Sequence, residues 1–254
     1  MILAVDAGNS NIVLGCMEGL EIRHTLRLKT DRAMSAAGYT VTLQAALAQA
    51  GFSVAGFEGG ILSSVVAAVT EPLRQALSAL LSGPVLVVGK TAKTTLPLCI
   101  DQPETIGADL IAAAEGALAQ YAPPLVLIDM GTATTFSVLD KSGAFLGGAI
   151  APGVQLGAEA LTQRTGLPMT ELSAPQSPLS HSTTDCLRSG IIYGAAAMVD
   201  GVLDRLETAL GTPVTTIATG GLARCVIPHC RRPVTLDDQL LLRGLAVMYR
   251  REMT

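Results

Sequence analysis

Two stretches of the chain repeat one pattern of apolar and polar positions. Ile2-Leu3-Ala4-Val5-Asp6-Ala7-Gly8-Asn9-Ser10 leads into Ile12-Val13-Leu14-Gly15, and Leu125-Val126-Leu127-Ile128-Asp129-Met130-Gly131-Thr132-Ala133-Thr134-Thr135 leads into Phe136-Ser137-Val138-Leu139. In each, an apolar run predicts a buried strand, followed by Asp, one spacer, Gly and a second β-rich run that ends at a turn, Glu18-Gly19 or Lys141-Ser142-Gly143. Residues 60–66 and 85–88 read as further buried strands. Helical periodicity covers 39–50, 108–120, 185–210 and 240–251, and Thr70-Glu71-Pro72 predicts another helix start, with an N-cap hydroxyl and an early Pro. Two such hairpins, each opening a half-chain, predict an α/β protein of two related lobes, roughly residues 1–112 and 113–254, facing each other across a cleft.

Composition narrows this picture. With 254 residues, 49% of them hydrophobic, the chain can fill one large core or two ordinary ones. The longest apolar run, 191–199, stops at Asp200, short of the roughly 18 residues of a spanning helix. The N-terminus has neither the basic region nor the cleavage site of a signal peptide, so the expectation is a cytoplasmic protein without a membrane partner. A net charge of -4 and the lack of any Lys/Arg run exclude nucleic acid from the expected partners. The five cysteines have irregular spacings and no C-x-x-C pair, which predicts reduced thiols; Cys225, His229 and Cys230 are close in sequence but lack a fourth metal ligand. Gly190, Gly194, Ala195, Ala196, Ala197 and Gly201 give the 185–210 helix a small-residue surface, for an interface or for close packing within its own lobe.

The chemistry sits at the ends of the repeated strands. Asp followed by x-Gly-Asn or x-Gly-Thr suits phosphates, because Gly lets main-chain N–H groups approach an anion and the amide or hydroxyl side chains donate further hydrogen bonds. The carboxylate itself suits a cation or its water shell, so Asp6 and Asp129 would frame a metal-nucleotide. One Asp-x-Gly alone is an ordinary turn; two flanked by hydroxyl and amide groups are a specific signal. A third strand, 215–219, runs into Thr219-Gly220-Gly221 and a helical run from Leu222, leaving room for a flat ring or a ribose against the backbone. Asp109, at a helix start in Gly107-Ala108-Asp109, reads either as a capping carboxylate or as a general base.

Asp6-x-Gly8-Asn9-Ser10-Asn11, Asp129-x-Gly131-Thr132-Ala133-Thr134-Thr135 and Thr219-Gly220-Gly221 resemble the first phosphate, second phosphate and adenosine motifs of the superfamily containing sugar kinases, acetate kinase and actin. With Gly147-Gly148-Ala149-Ile150-Ala151-Pro152-Gly153 and Glu159-Ala160-Leu161, the chain resembles type III pantothenate kinases nearly end to end. The resemblance implies a duplicated ribonuclease-H-like (actin-like) fold, two lobes around a nucleotide cleft. It implies ATP-dependent phosphorylation of pantothenate to 4'-phosphopantothenate, the first step towards coenzyme A. It further implies ATP with Mg2+, a monovalent cation (K+ or NH4+), and a homodimer with its substrate pocket near the subunit interface. Asp109 is then the general base and Asp129 the monovalent-cation ligand. Asp6, Ala7, Gly8, Asn9, Ser10, Asn11, Ile12, Val13, Gly131, Thr132, Thr134, Gly220 and Gly221 are the ATP contacts, with Asp6 a candidate Mg2+ ligand. Ile100, Gly107, Ala108, Asp109, Leu110 and Thr183 are the pantothenate contacts.

The acceptor side departs from the family pattern. Leu110 stands where Gly-x-Asp-Arg has its Arg, Ile100 replaces a Tyr, Gln102 an Asn, and Ser182 the Asn before Thr183. Loss of one charge-assisted contact costs about 1.5 to 3 kcal/mol, a roughly ten- to hundredfold weaker substrate, with Arg164 or Arg188 as candidate replacements. Two alternatives follow: a kinase for another small alcohol, and a nucleotide-binding regulator that has lost turnover. An actin-like filament or chaperone has little room for its usual insertions.

Overall fold

Strand β1 (Ile2–Ala7) is apolar at every position but Asp6 and lies at the centre of a five-stranded sheet, where its apolar side chains are buried. The structure, a computed structural model, describes residues 1–168 and 170–254. β2 (Asn11–Glu18) returns antiparallel to β1, β3 (Glu21–Lys29) runs antiparallel to β2, and on the other side β4 (Gly59–Ser64) and β5 (Val85–Val87) add in parallel. The second sheet repeats this plan. β6 (Leu125–Met130) is central; β7 (Ala133–Leu139) and β8 (Phe145–Pro152) follow it as antiparallel neighbours on one side, and β9 (Thr215–Thr219) and the short β10 (Thr235–Leu236) as parallel ones on the other. The orders β3-β2-β1-β4-β5 and β8-β7-β6-β9-β10 are one topology written twice. The expected duplicated ribonuclease-H-like α/β fold is therefore present.

The helices cover the sheets. α1 (Ala36–Gln49) begins at Ser35, whose hydroxyl accepts the Gly38 N–H, and packs with α2 (Ala67–Leu80) over one face of the first sheet, around Leu3, Val5, Leu14, Leu43 and Leu73. The helix expected to start at Thr70 starts three residues earlier. Thr70 does not cap it: its hydroxyl turns back onto the Val66 carbonyl (3.0 Å) and the Ser64 hydroxyl (2.8 Å). α3 (Ala108–Leu118) and α7 (Leu240–Met253) cover the opposite face, where Ile111 and Ala112 meet Leu242, Leu245 and Met248 against Ile2, Ala4 and Ile61. α4 (Val154–Thr165), α5 (Thr183–Leu210) and α6 (Ala223–Val226) accompany the second sheet, and Ile192, Ala196, Val199 and Leu203 of α5 pack onto Val126, Ile128 and Phe136.

Two units follow from the packing. One comprises Met1–Leu96, Asp101–Gln120 and Gln239–Thr254, the other Pro97–Ile100 and Tyr121–Asp238. A boundary at residue 112 would cut α3, and the last sixteen residues, assigned by sequence to the second half, belong to the first unit. The physical reason is the crossing of α3 and α7. A Cβ added at Gly116 would run into the Leu240 carbonyl, and one at Gly244 into the Ala112 carbonyl, so the two backbones touch through paired glycines. Beside that crossing Arg251 Nη1 donates to both carboxylate oxygens of the buried Glu115, at 3.0 and 2.9 Å, and the Thr94 hydroxyl donates to the same carboxylate at 2.8 Å.

Candidate functional site

In the first unit the candidate site is the β1–β2 turn. Gly8 N–H donates to the Asn11 carbonyl (2.9 Å), closing a tight connection that leaves Asn9 and Ser10 exposed. Asp6, the last polar group of β1, accepts the Ser63 hydroxyl (2.9 Å) from the end of the adjacent parallel strand. The expected contacts divide by burial. The side chains of Ala7 and Ile12 are in the core at 0% exposure, so only their main chain can serve a ligand, whereas Gly8, Asn11 and Val13 are half-buried.

The same unit holds Gly107, Ala108, Asp109 and Leu110 at the start of α3. Gly107 is the N-cap, with φ -62° and ψ 139°, and Asp109 occupies the second helical position. Its Oδ1 accepts the Leu110 N–H at 2.8 Å. Burial pushes the carboxyl above the ordinary aspartate range, and main-chain N–H donors, from Leu110 and from Asp109 itself, only partly offset this. The result is a half-buried carboxylate at a helix N-terminus that is more basic than an exposed one.

In the second unit three segments meet at the carboxyl ends of β6 and β9. Asp129 lies in register with Thr135 of β7 and Thr219 of β9. Gly131 N–H donates to the Ala133 carbonyl (3.0 Å), and Gly153, at the junction of β8 and α4, donates to the Thr132 carbonyl (3.2 Å). A side chain at Gly153 would strike that carbonyl and come within 2.6 Å of the Gly131 carbonyl. Gly220 has φ +95°, and a Cβ there would stand 2.5 Å from Asp129 Oδ1 and 2.6 Å from Met130 N. These distances leave glycine as the residue that fits both positions. Gly221 opens onto free space. Thr134 and Thr135 bury their hydroxyl oxygens without a hydrogen-bond partner among the described residues, a cost that a ligand oxygen or a cation would relieve.

The remaining expected residues are more dispersed. Ile100 belongs to the second unit, beside Gly147 of β8, and Thr183 is the exposed first residue of α5. Neither candidate replacement for the missing Arg presents a simple substitute. Arg188 is engaged by the Ser173 carbonyl (3.0 Å), the Ser173 hydroxyl (2.6 Å) and Asp185 (3.2 Å), and Arg164 is exposed in the last turn of α4. Among the described residues no group of three or more His, Cys, Asp or Glu side chains gathers as a metal cage. Asp6 in the first unit and Asp129 in the second each offer a single carboxylate at the end of a central strand. At the Cys225–Cys230 segment, His229 stacks edge-on against Tyr193 at 5.0 Å, and burial pushes the Cys230 thiol up to about 12, away from the thiolate a metal needs.

Sequence reading did not single out Ser63, nor Thr30 and Arg32, which hydrogen-bond the Gly8 carbonyl and Asn9 Oδ1 of the turn. Ser63 had a signal, as a hydroxyl at the end of a buried strand parallel to β1. The other two come from a loop more than twenty residues downstream of the turn and carried none.

Comparison with known proteins gives a consistent result. The family described as type III pantothenate kinase matches residues 2–205. Curated proteins of that name from an Exiguobacterium species and from Moorella thermoacetica are 38% and 35% identical to this chain over 252 residues, covering 99% of each chain. Among solved structures, a conserved putative Baf family transcriptional activator from Campylobacter jejuni superposes with a TM-score of 0.63 at 17% identity, over 98% of both chains. Component A of the (R)-2-hydroxyglutaryl-CoA dehydratase of Acidaminococcus fermentans gives 0.60 at 13% identity, over 100% of this chain and 99% of that one. These two likenesses are of fold.

Proposed function

Because the chain belongs to the type III pantothenate kinase family, we propose that it transfers the γ-phosphoryl group of ATP to the primary hydroxyl of pantothenate, with Asp109 as general base. The observation that carries the base assignment is the setting of Asp109: half-buried, raised in pKa by burial, and held by main-chain N–H groups. A primary alcohol is barely acidic, so a carboxylate that accepts its proton while the oxygen attacks phosphorus lowers the barrier. The new P–O bond forms at the γ-phosphorus, the bond to the bridging oxygen breaks, ADP leaves, and the proton rests on Asp109.

The first-unit turn, Asp6 to Val13, and the second-unit group of Gly131, Thr132, Thr134, Gly220 and Gly221 are the proposed ATP contacts. Gly107, Ala108 and Leu110, with Ile100 and Thr183, are the proposed acceptor contacts. Asp6 would hold Mg2+ through ATP. Asp129, with the Thr135 hydroxyl directly across the β6–β7 pair, offers oxygen donors that fit K+ or NH4+. A bound cation supplies positive charge against the phosphates. We further read the protein as a cytoplasmic homodimer. Support for the dimer comes from α5, where Gly190 and Gly194 have nothing within 4 Å of an added Cβ and Ala197 is exposed on the same face. Neither sequence alternative, another alcohol acceptor or a silent regulator, has an observation in its favour.

The test is ADP release by the purified protein with ATP, Mg2+ and K+, with and without pantothenate, alongside Asp109→Asn. Pantothenate-dependent release that the variant loses supports the reading. ATP binding without acceptor-dependent release overturns it.

A further inference from the structure

The loop after β3 grips the β1–β2 turn at three consecutive residues. The Thr30 hydroxyl donates to the Gly8 carbonyl (2.7 Å), Thr30 N–H donates to the Ser10 carbonyl (3.1 Å), and Arg32 Nη2 donates to Asn9 Oδ1 (3.0 Å). Each contact consumes an acceptor oxygen of the turn. A carboxamide has one oxygen and one NH2 group, so with its oxygen committed to Arg32 the Asn9 side chain presents donors. Donors are what a polyphosphate binds.

Arg32 also brings charge. Three other arginines of the same unit are matched to acids: Arg23 to Glu18 and Glu21, Arg74 to Glu71, Arg251 to Glu115. Arg32 is exposed and bonded to a neutral amide, and the neighbouring Asp31 turns its carboxylate back onto the Ala33 N–H at 2.9 Å. The guanidinium therefore stands beside the exposed Asn9 without an ion-pair partner among the described residues. Its field is available to an anion at the turn.

We propose that Arg32 is a positioning residue for the nucleotide's phosphate chain, orienting the Asn9 amide to donate and adding an uncompensated positive charge beside it. This rests on the nucleotide reading of the first hairpin.

The experiment is calorimetric binding of adenosine, AMP, ADP and ATP, the last two with Mg2+, to the full-length protein and to Arg32→Leu, Arg32→Gln and Arg32→Lys. The expected result is a loss in Arg32→Leu that grows along the series, absent for adenosine and roughly ten- to a hundredfold for ATP. Arg32→Gln, which keeps a donor for Asn9 without the charge, should fall between Leu and wild type, and Arg32→Lys should recover most of the ATP affinity. The KM for pantothenate should not move. Equal losses for adenosine and ATP, or no loss in Arg32→Leu, would overturn the proposal in favour of a structural or idle side chain. A wild-type protein that binds none of the four would overturn the nucleotide reading itself, and this inference with it.

Discussion

Asp109 combines a hydrogen bond at a helix start with burial, the setting on which its proposed role as base rests. Sequence left it open between cap and base, and in the structure the carboxylate accepts its own helix's N–H and is raised in pKa by burial, a setting compatible with either role. A folded-state pKa above the unfolded one means that the charged form is the destabilised form. The penalty is present above the folded pKa and vanishes as pH falls through it. Asp109→Asn should therefore abolish turnover yet melt no lower than wild type at neutral pH, and higher if the amide keeps the Leu110 contact; a clearly lower melting temperature would contradict this. In the active protein the acid limb of kcat/KM should lie above the roughly 3.9 of a free aspartate, and Leu110→Arg should move it down by placing a cation next to the base. Gly220 is constrained differently. With φ +95° and Asp129 in the way, Gly220→Ala should cost roughly 1 to 3 kcal/mol in urea unfolding and weaken ATP binding by displacing Asp129.

At the scale of elements, the helix periods were legible because a 3.6-residue repeat of apolar positions survives whatever the helix packs against. The 108–120 and 240–251 runs became α3 and α7 with ends shifted by a few residues. Their partnership was not legible, since it depends on two glycines and one ion pair more than a hundred residues apart. β8 was obscured because Gly147 and Gly148 interrupt its alternation, and Thr70 misled because a hydroxyl before Pro resembles a cap whichever way it turns. The Glu115–Arg251 pair tests the partnership. Arg251→Leu strands a buried carboxylate and should destabilise by roughly 3 to 5 kcal/mol, while adding Glu115→Gln should restore part of the loss. Chemical denaturation of the two variants would check it, and equal stability of Arg251→Leu and wild type would contradict it.

For the whole molecule, the duplicated topology was readable from the paired Asp-x-Gly hairpins, because repeated chemistry at the strand ends exposes a repeated sheet. The open small-residue face of α5 leads to an expectation at this scale: the wild type should sediment as a dimer, and Ala197→Arg, an outward substitution away from the helix's core face, should sediment as a monomer of unchanged helicity. A wild-type monomer would contradict the proposed assembly. The placement of α7 has a consequence in time. A ribosome delivers the first sheet early, yet Leu245, Met248 and Tyr249, which close over Ile2, Ala4 and Ile61, follow the whole of the second unit in chain order. The second unit's chain is complete before the first unit's is. During synthesis the nascent protein therefore carries an incompletely covered apolar sheet face until α7 emerges, which makes this the interval in which a chaperone or a protease would find it.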